Sequence, residues 1–313
     1  MKPLVFVLFG PTASGKTALL QRLDKNIEII SADSMQVYRG MDIGTAKPTA
    51  EERVKTPHHL IDIRNPDEQF NAGDFVRLAE EACHAALAHG ALPVVSGGTG
   101  FYIKNLVMGL SEAPPSDEAL RLELKKELAL RGAPPLMEEL AKADPVSAAR
   151  IHINDEYRLL RALEVFRLTD RPLSSYASPW NEQSGSSPDN SPFRFLLVGL
   201  RRSREELYRR INERTAAMFR AGLAAEVRRL YEAGFTPENP GLKAIGYREF
   251  FVRDPGGAWR LSEDLSGLEA LVAQNSRRYA KRQITFFSSI PGVKWIDCEG
   301  DAMPNLGEIS DLN

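Results

Sequence analysis

The chain opens on an uninterrupted apolar run, Leu4-Val5-Phe6-Val7-Leu8-Phe9. A strand buried on both faces of a parallel sheet reads this way, whereas a half-exposed strand alternates. A glycine-spaced loop follows, and an apolar helical pattern begins at about Lys16. Ile27-Glu28-Ile29-Ile30 predicts a second strand that ends at Ser31-Ala32-Asp33. Residues 72–89 predict a helix closed by Gly90, and Leu92-Pro93-Val94-Val95 a third strand running into Ser96-Gly97-Gly98-Thr99-Gly100. Alternation of this kind predicts an α/β fold, a doubly wound parallel sheet with right-handed crossovers.

After Leu110 the pattern changes. Prolines at 114, 115, 134 and 135 punctuate helical stretches rich in Leu, Glu, Lys and Arg, and a Ser/Pro/Asn-rich segment, SSYASPWNEQSGSSPDNSP, reads as a loop or hinge. Strand character returns at Phe195-Leu196-Leu197-Val198-Gly199-Leu200. Ser203 with Glu206 then forms a capping-box pattern ahead of a long helical region carrying Leu207, Ile211, Met218, Val227 and Leu230. The expected organisation is an α/β core, residues 1–112 and 193–313, interrupted by a helical insertion domain, residues 113–192.

Composition narrows the setting. With 313 residues, 43% apolar and 26% charged, the chain has the makeup of a globular protein with a sizeable core. No run reaches the roughly 18 apolar residues of a membrane span, and no small-residue cleavage site follows the first strand, so neither a membrane nor a signal peptide is expected. Two cysteines, Cys83 and Cys298, are too few for a disulfide framework and suit a reducing cytoplasm. The histidines lack metal-ligand spacing with either cysteine, so no zinc is expected. A net charge of −2 does not announce a nucleic-acid binder. Its distribution leaves a basic face open: arginines gather between Arg194 and Arg229 and again at Arg277, Arg278 and Arg282, while acidic residues gather from Asp297 to Asp311.

The loop after the first strand, Gly10-Pro11-Thr12-Ala13-Ser14-Gly15-Lys16-Thr17, matches G-x-x-x-x-G-K-[ST] at a strand-to-helix junction, the context that gives the motif its meaning. Glycines let amides approach phosphate oxygens, the helix N-terminus adds partial positive charge, Lys16 adds a full one, and the Thr17 hydroxyl is placed for Mg²⁺. The expected fold is therefore P-loop NTPase-like. Nucleotide hydrolases commonly carry an acidic residue at the end of a later strand, yet here Val94-Val95 leads to Ser96-Gly97-Gly98-Thr99. Asp33, at the carboxyl end of the second strand, reads either as a turn aspartate or as a general base beside a polyphosphate.

Seven co-linear stretches, GPTASGKT, SADSMQVYRGMDIGTAKPT, PHHLIDI, GGTGFYI, RALEVF, KAIGYRE and YAKRQITFF, together resemble the bacterial tRNA dimethylallyltransferases (tRNA isopentenyltransferases) from residue 4 to about 290. The resemblance implies transfer of a dimethylallyl group from dimethylallyl diphosphate to N6 of the adenosine 3′ to the anticodon, in tRNAs reading codons that begin with U. It implies a cytoplasmic monomer whose partners are the anticodon stem-loop of tRNA and the allylic diphosphate. Residues 10–17 then hold the diphosphate as leaving group, with Lys16, Mg²⁺ at Thr17, and Arg214 drawing on its charge. Asp33 accepts the N6 proton and Thr99 holds donor or acceptor. Ser34, Met35 and Gln36 touch the flipped adenosine. Further tRNA contacts are expected at Arg121, at Tyr157-Arg158-Leu159-Leu160-Arg161, and at Lys243-Ala244-Ile245-Gly246-Tyr247-Arg248. Many members have Gln where this chain has Tyr157, whose ring could instead stack on a base. Read from the residues alone, a P-loop kinase of a nucleoside or small metabolite, a transferase acting on free AMP, and an RNA-binding P-loop switch protein stay open.

Overall fold

The computed structural model describes residues 2–23, 26–176 and 191–298. Most of the Ser/Pro/Asn-rich segment and the acidic residues from 299 onward lie outside them. The chain divides into two compact units, one formed by residues 1–108 and 185–313 and the other by residues 109–184.

The first unit holds a six-stranded sheet among the described residues. Its strands are β1 (Leu4–Phe9), β2 (Ile27–Ser31), β3 (His58–His59), β4 (Leu92–Gly97), β5 (Arg194–Arg201) and, after the two-stranded hairpin of β6 (Phe251–Arg253) and β7 (Trp259–Leu261), β8 (Lys294–Asp297). The order is β3-β2-β4-β1-β5-β8 and every pair in it is parallel. The continuous apolar run makes β1 central: Val5 to Phe9 are fully buried, packed with Ile29, Val94, Val198 and Leu200 around them. The edge strands β3 and β8 were not expected. Their sequences, His-His and Lys-Trp-Ile-Asp, carry no apolar run, because an edge is paired on one side only.

The helices of this unit are α1 (Lys16–Leu20), α2 (Ala50–Lys55), α3 (Ala72–Ala88) and α4 (Gly100–Met108) before the insertion. The second unit carries α5 (Glu118–Arg131), α6 (Ala133–Ala143), α7 (Pro145–Arg150) and α8 (Glu156–Thr169), and the chain returns with α9 (Arg204–Arg220), α10 (Leu223–Glu232) and α11 (Leu268–Phe287). Helix α3 begins where Asn71 accepts from the amides of Gly73 and Asp74 while Asp74 answers the Asn71 amide, a full capping box. At α9 only half of the expected box forms. Ser203 accepts from the Glu206 amide at 3.2 Å, but the Glu206 carboxylate is drawn onto the Arg209 guanidinium at 2.8 and 2.9 Å. The long helical region also breaks in two at Gly222, whose φ of 97° ends α9 and starts α10. The second unit begins at Gly109 (φ 86°), directly after α4, rather than at residue 113.

Two buried carboxylates organise their surroundings. In the first unit Glu226 of α10, 1% exposed, accepts from the amides of Asp42, Ile43 and Gly44 and, at 2.6 Å, from the Tyr247 hydroxyl. A Cβ on Gly44 would stand 2.4 Å from the Tyr247 ring, so only glycine fits that turn. In the second unit, Leu124, Leu136, Leu140, Leu159, Leu160 and Leu163 form the core, and the fully buried Glu164 sits on its margin. Elsewhere Glu28 of β2 is held between His59 Nε2 and His89 Nδ1, each 2.7 Å away, which gives these histidines a packing role.

Removing the Glu226 carboxylate would take the acceptor from three half-covered amides and from the buried Tyr247 phenol. We expect Glu226→Ala to lower the free energy of unfolding by about 3 kcal/mol, since each orphaned buried donor costs about 1–3 kcal/mol; urea denaturation of the variant checks this, and a change within error of zero would contradict it.

Candidate functional site

Strands β1, β2 and β4 are neighbours and end level, Phe9 standing opposite Gly97 and Ser31 opposite Ser96. The loops that follow them therefore open at one edge of the sheet, where open α/β proteins bind ligands.

The phosphate loop is stitched from within and from behind. The Ser14 amide donates to Pro11 O at 3.2 Å, Ala13 and Gly15 take left-handed conformations (φ 63° and 102°), and α1 starts immediately after. Lys16 folds back so that Nζ donates to Gly10 O at 2.9 Å and Pro11 O at 3.1 Å. Three arginines approach from the segment after β5. Arg202 Nε donates to Ser14 O at 2.8 Å, Arg210 Nε to Ala13 O at 3.1 Å, and Arg214 Nη1 to Thr12 Oγ1 at 3.3 Å. The loop's carbonyls are thus turned toward cations. The Ser14 hydroxyl is fully buried against the Gly10 side of the loop and has no hydrogen-bond partner. Thr12 departs from its expected role: its amide is taken by Gln283 Oε1 at 2.9 Å, so it links the loop to α11 instead of facing a phosphate.

Across from the loop, Asp33 has the geometry of a turn aspartate and stands within electrostatic reach of the loop's cations. One oxygen accepts from the amides of Met35 (2.8 Å) and Gln36 (3.3 Å), a turn aspartate. The same carboxylate's charge reaches Lys16, Arg214 and Tyr279. Thr99, at the start of α4, accepts from the Ser34 amide at 3.0 Å and donates to Ser34 Oγ at 3.4 Å. Gln36 is committed elsewhere: its side chain accepts from Ser31 Oγ at 2.9 Å and donates to the carbonyls of Thr45 and Ala46 at 3.3 Å, which holds the turn and leaves the amide little to offer a base. Met35 is half-buried beside it.

Burial and like charge set the electrostatics. Burial, then the Arg214 guanidinium, push the Lys16 ammonium down to about 8, against the pull of Asp33. Burial likewise holds Arg214 below its ordinary value, again opposed by Asp33. Burial and then the Asp33 charge raise the Tyr279 phenol to about 12.

The other expected contacts divide sharply. Lys243 and Arg248 are exposed and Ile245 half-buried, but Ala244, Gly246 and Tyr247 are buried, Tyr247 being spent on Glu226. In the second unit Leu159 and Leu160 are core residues, 0% and 4% exposed, with no side-chain surface for RNA. Arg121 and Arg161 do not lie free on a solvated face. Each donates to Glu164 Oε2 at 2.9 Å, Arg161 reaches Pro114 O as well, and Glu164 also accepts from Ser116 Oγ and the Asp117 amide. The Arg121 guanidinium lies 4.6 Å from the centre of the Tyr157 ring, itself 72% exposed. Arg158 projects outward, tied to Asp155 at 2.7 Å. Tyr157, Arg158 and Arg161, with Ser147, Arg150, Ile151 and Leu173, line a cleft of about 240 Å³.

Sequence reading missed Arg202, Arg210, Gln283 and Tyr279. The signals were present: the first two belong to the arginine cluster, and the others to YAKRQITFF, in which Tyr279 and Gln283 stand four apart on one helix face.

A parallel sheet whose first turn carries a glycine-spaced loop backed by cations, with the Asp33 carboxylate beside it, defines an α/β protein of the P-loop class. Residues 36–290 match the family model described as IPP transferase, and the chain belongs to that family. It is 45% identical to tRNA dimethylallyltransferase 1 of Trichlorobacter lovleyi over 298 residues, 95% of this chain and 94% of that one. The crystal structure of the tRNA isopentenylpyrophosphate transferase of Bacillus halodurans aligns with a TM-score of 0.64 at 36% identity, covering 100% of this chain and 94% of the other. A eukaryotic dimethylallyltransferase, captured in crystals acting on tRNA, aligns with a TM-score of 0.72 at 27% identity, covering 94% and 74%.

Because Lys16 sits near 8, its charged form in the free protein is lost as pH rises through that value. We expect the wild-type advantage over Lys16→Met in binding inorganic diphosphate to shrink between about pH 7 and about pH 9. Calorimetric titration of both proteins measures it; a ratio constant across that range would contradict the assignment.

Proposed function

We infer that this chain transfers a dimethylallyl group from dimethylallyl diphosphate to the N6 amine of an adenosine in the anticodon loop of tRNA, the base 3′ to the anticodon in tRNAs reading U-initial codons. Membership of the IPP transferase family and the relatives' shared name support the donor, the reaction and tRNA as acceptor. The observation that carries the mechanism is the placement of one carboxylate, Asp33, within electrostatic reach of both Lys16 and Arg214, across from the phosphate loop.

In this reading the allylic C–O bond breaks with its electron pair going to the diphosphate, the N6 lone pair takes the allylic carbon, and the N6 proton passes to Asp33. Charge grows on the departing diphosphate, and donors already aimed at it lower that barrier, each by about 3 kcal/mol where measured in other enzymes. The amides of residues 13 and 15–17, Lys16 and Arg214 supply them. The loop needs no reorganisation, because its carbonyls are already held by Lys16, Arg202 and Arg210. An aromatic amine is a weak nucleophile, and removal of its proton as the bond forms is worth about 10²- to 10⁴-fold. Asp33 keeps one oxygen fixed by two amides, which aims the other. Ser34 and Thr99, bonded to each other, border the same space.

Mg²⁺ fits this edge through Thr17, an exposed residue in the first turn of α1. No group of three His, Cys, Asp or Glu among the described residues forms a metal cage, so the remaining ligands would be diphosphate oxygens and water, the arrangement Mg²⁺ favours. Bound there, the ion would neutralise charge on the leaving diphosphate. An unstacked base is needed to expose N6, and single-stranded loops provide one. In the second unit Arg158 offers a phosphate contact, and the exposed ring of Tyr157 a stacking surface backed by Arg121. The chain works in the cytoplasm as a monomer. No helix among its described residues is long and apolar enough to cross a membrane.

Incubation with labelled dimethylallyl diphosphate and bulk tRNA is expected to place label in RNA; phosphate transfer from ATP to a small alcohol, or prenylation of free AMP alone, would overturn the reading. Asp33→Asn should bind tRNA normally and lose at least about 10²-fold in turnover, and unchanged turnover would remove Asp33 as the base. Arg158→Ala should leave thermal stability unchanged and reduce the salt dependence of tRNA affinity by about one phosphate contact, as read from the slope of log K against log salt. An unaltered slope would take Arg158 out of the interface.

A further inference from the structure

Resting on the prenyl-transfer reading, we propose that Gln283 is a positioning residue that fixes the spacing between the phosphate loop and the Thr99 turn. Its amide is two-headed. Oε1 accepts from the Thr12 amide at 2.9 Å and Nε2 donates to Gly98 O at 2.8 Å, so one planar group spans the loops after β1 and β4. The side chain is 5% exposed, and no carboxylate, hydroxyl or ammonium could serve both ends without leaving a buried polar group unpaired. Each end continues into the chemistry. Thr12 Oγ1 accepts from Arg214, on the side of the leaving group. Gly98 precedes Thr99, which holds Ser34 beside Asp33. Tyr279, one turn earlier on α11, has its phenol within electrostatic reach of both Thr99 and Gln283.

Gly98 carries the complementary imprint. A Cβ there would stand 2.5 Å from Gln283 Nε2 and push the amide out of its place. The pair therefore acts as a spacer between the site that stabilises the diphosphate and the site that deprotonates the acceptor. Misplacing reacting groups by about an ångström costs on the order of 10²-fold in rate even when each substrate still binds.

The test uses the full chain and four proteins: wild type, Gln283→Ala, Gly98→Ala and the double variant. Turnover and KM are measured with labelled dimethylallyl diphosphate and tRNA, and affinity with inorganic diphosphate. We expect Gln283→Ala to lose about 10²-fold in kcat with diphosphate affinity unchanged, and to melt at a lower temperature because the Thr12 amide and Gly98 carbonyl lose their partner. Gly98→Ala should lose a similar factor, and the double variant no more than Gln283→Ala alone, because the clash disappears with the amide. Should Gln283→Ala fail to fold, Gln283→Met keeps the length and bulk without either hydrogen bond and should give the same split. Full turnover in these variants, a loss of diphosphate affinity as large as the loss in kcat, or multiplying losses in the double variant would each overturn the spacer. A wild type that labels no RNA would instead sink the transfer reading beneath it.

Discussion

The structure depends on three parallel strands finishing at one level. With β1 between β4 and β5, and β4 between β1 and β2, the pairings of Phe9 with Gly97 and of Ser31 with Ser96 bring the phosphate loop, the Asp33 turn and the Thr99 turn to a common edge. None of these loops is long enough to find the others by itself. Hydrogen-bonded register does the finding.

That edge concentrates positive charge in a half-buried space. Lys16, Arg202, Arg210 and Arg214 converge on one loop, with Asp33 as the carboxylate facing it. Burial depresses both Lys16 and Arg214, and at Lys16 the Arg214 charge adds to it. The backbone carbonyls that accept from these cations keep the arrangement in place meanwhile, leaving the amide side of the loop to the ligand.

How much of this was legible in the sequence follows from what each feature depends on. The central strands, the phosphate loop and helix α3 rest on local pattern, a buried run, a fixed spacing and a cap, and each lies where the pattern put it. The edge strands β3 and β8 rest on pairing with neighbours remote in sequence and leave no local trace. The same division runs through the site residues. Asp33 and Lys16 belong to motifs next to strand ends. Gln283 acts through Thr12 and Gly98, both distant along the chain, so only folding gives its amide a meaning. In the second unit, spacing correctly put Arg158 and Arg161 on one face of α8 but could not see Glu164, which engages Arg161 and Arg121 and leaves Arg158 facing outward. Leu159 and Leu160 share a motif with those arginines and still serve the core, since adjacent helical positions point in different directions.

The Glu226 knot bears on how the chain tolerates change. The Asp42–Gly44 turn, the carboxylate on α10 and the phenol of Tyr247 come from three separate stretches, yet no one of them has a stable alternative while the other two persist. Such a trio drifts as a block or not at all. Anyone exchanging segments between this chain and a distant homologue would need to carry all three pieces together, or accept a chimera whose turn after Met41 has lost its anchor.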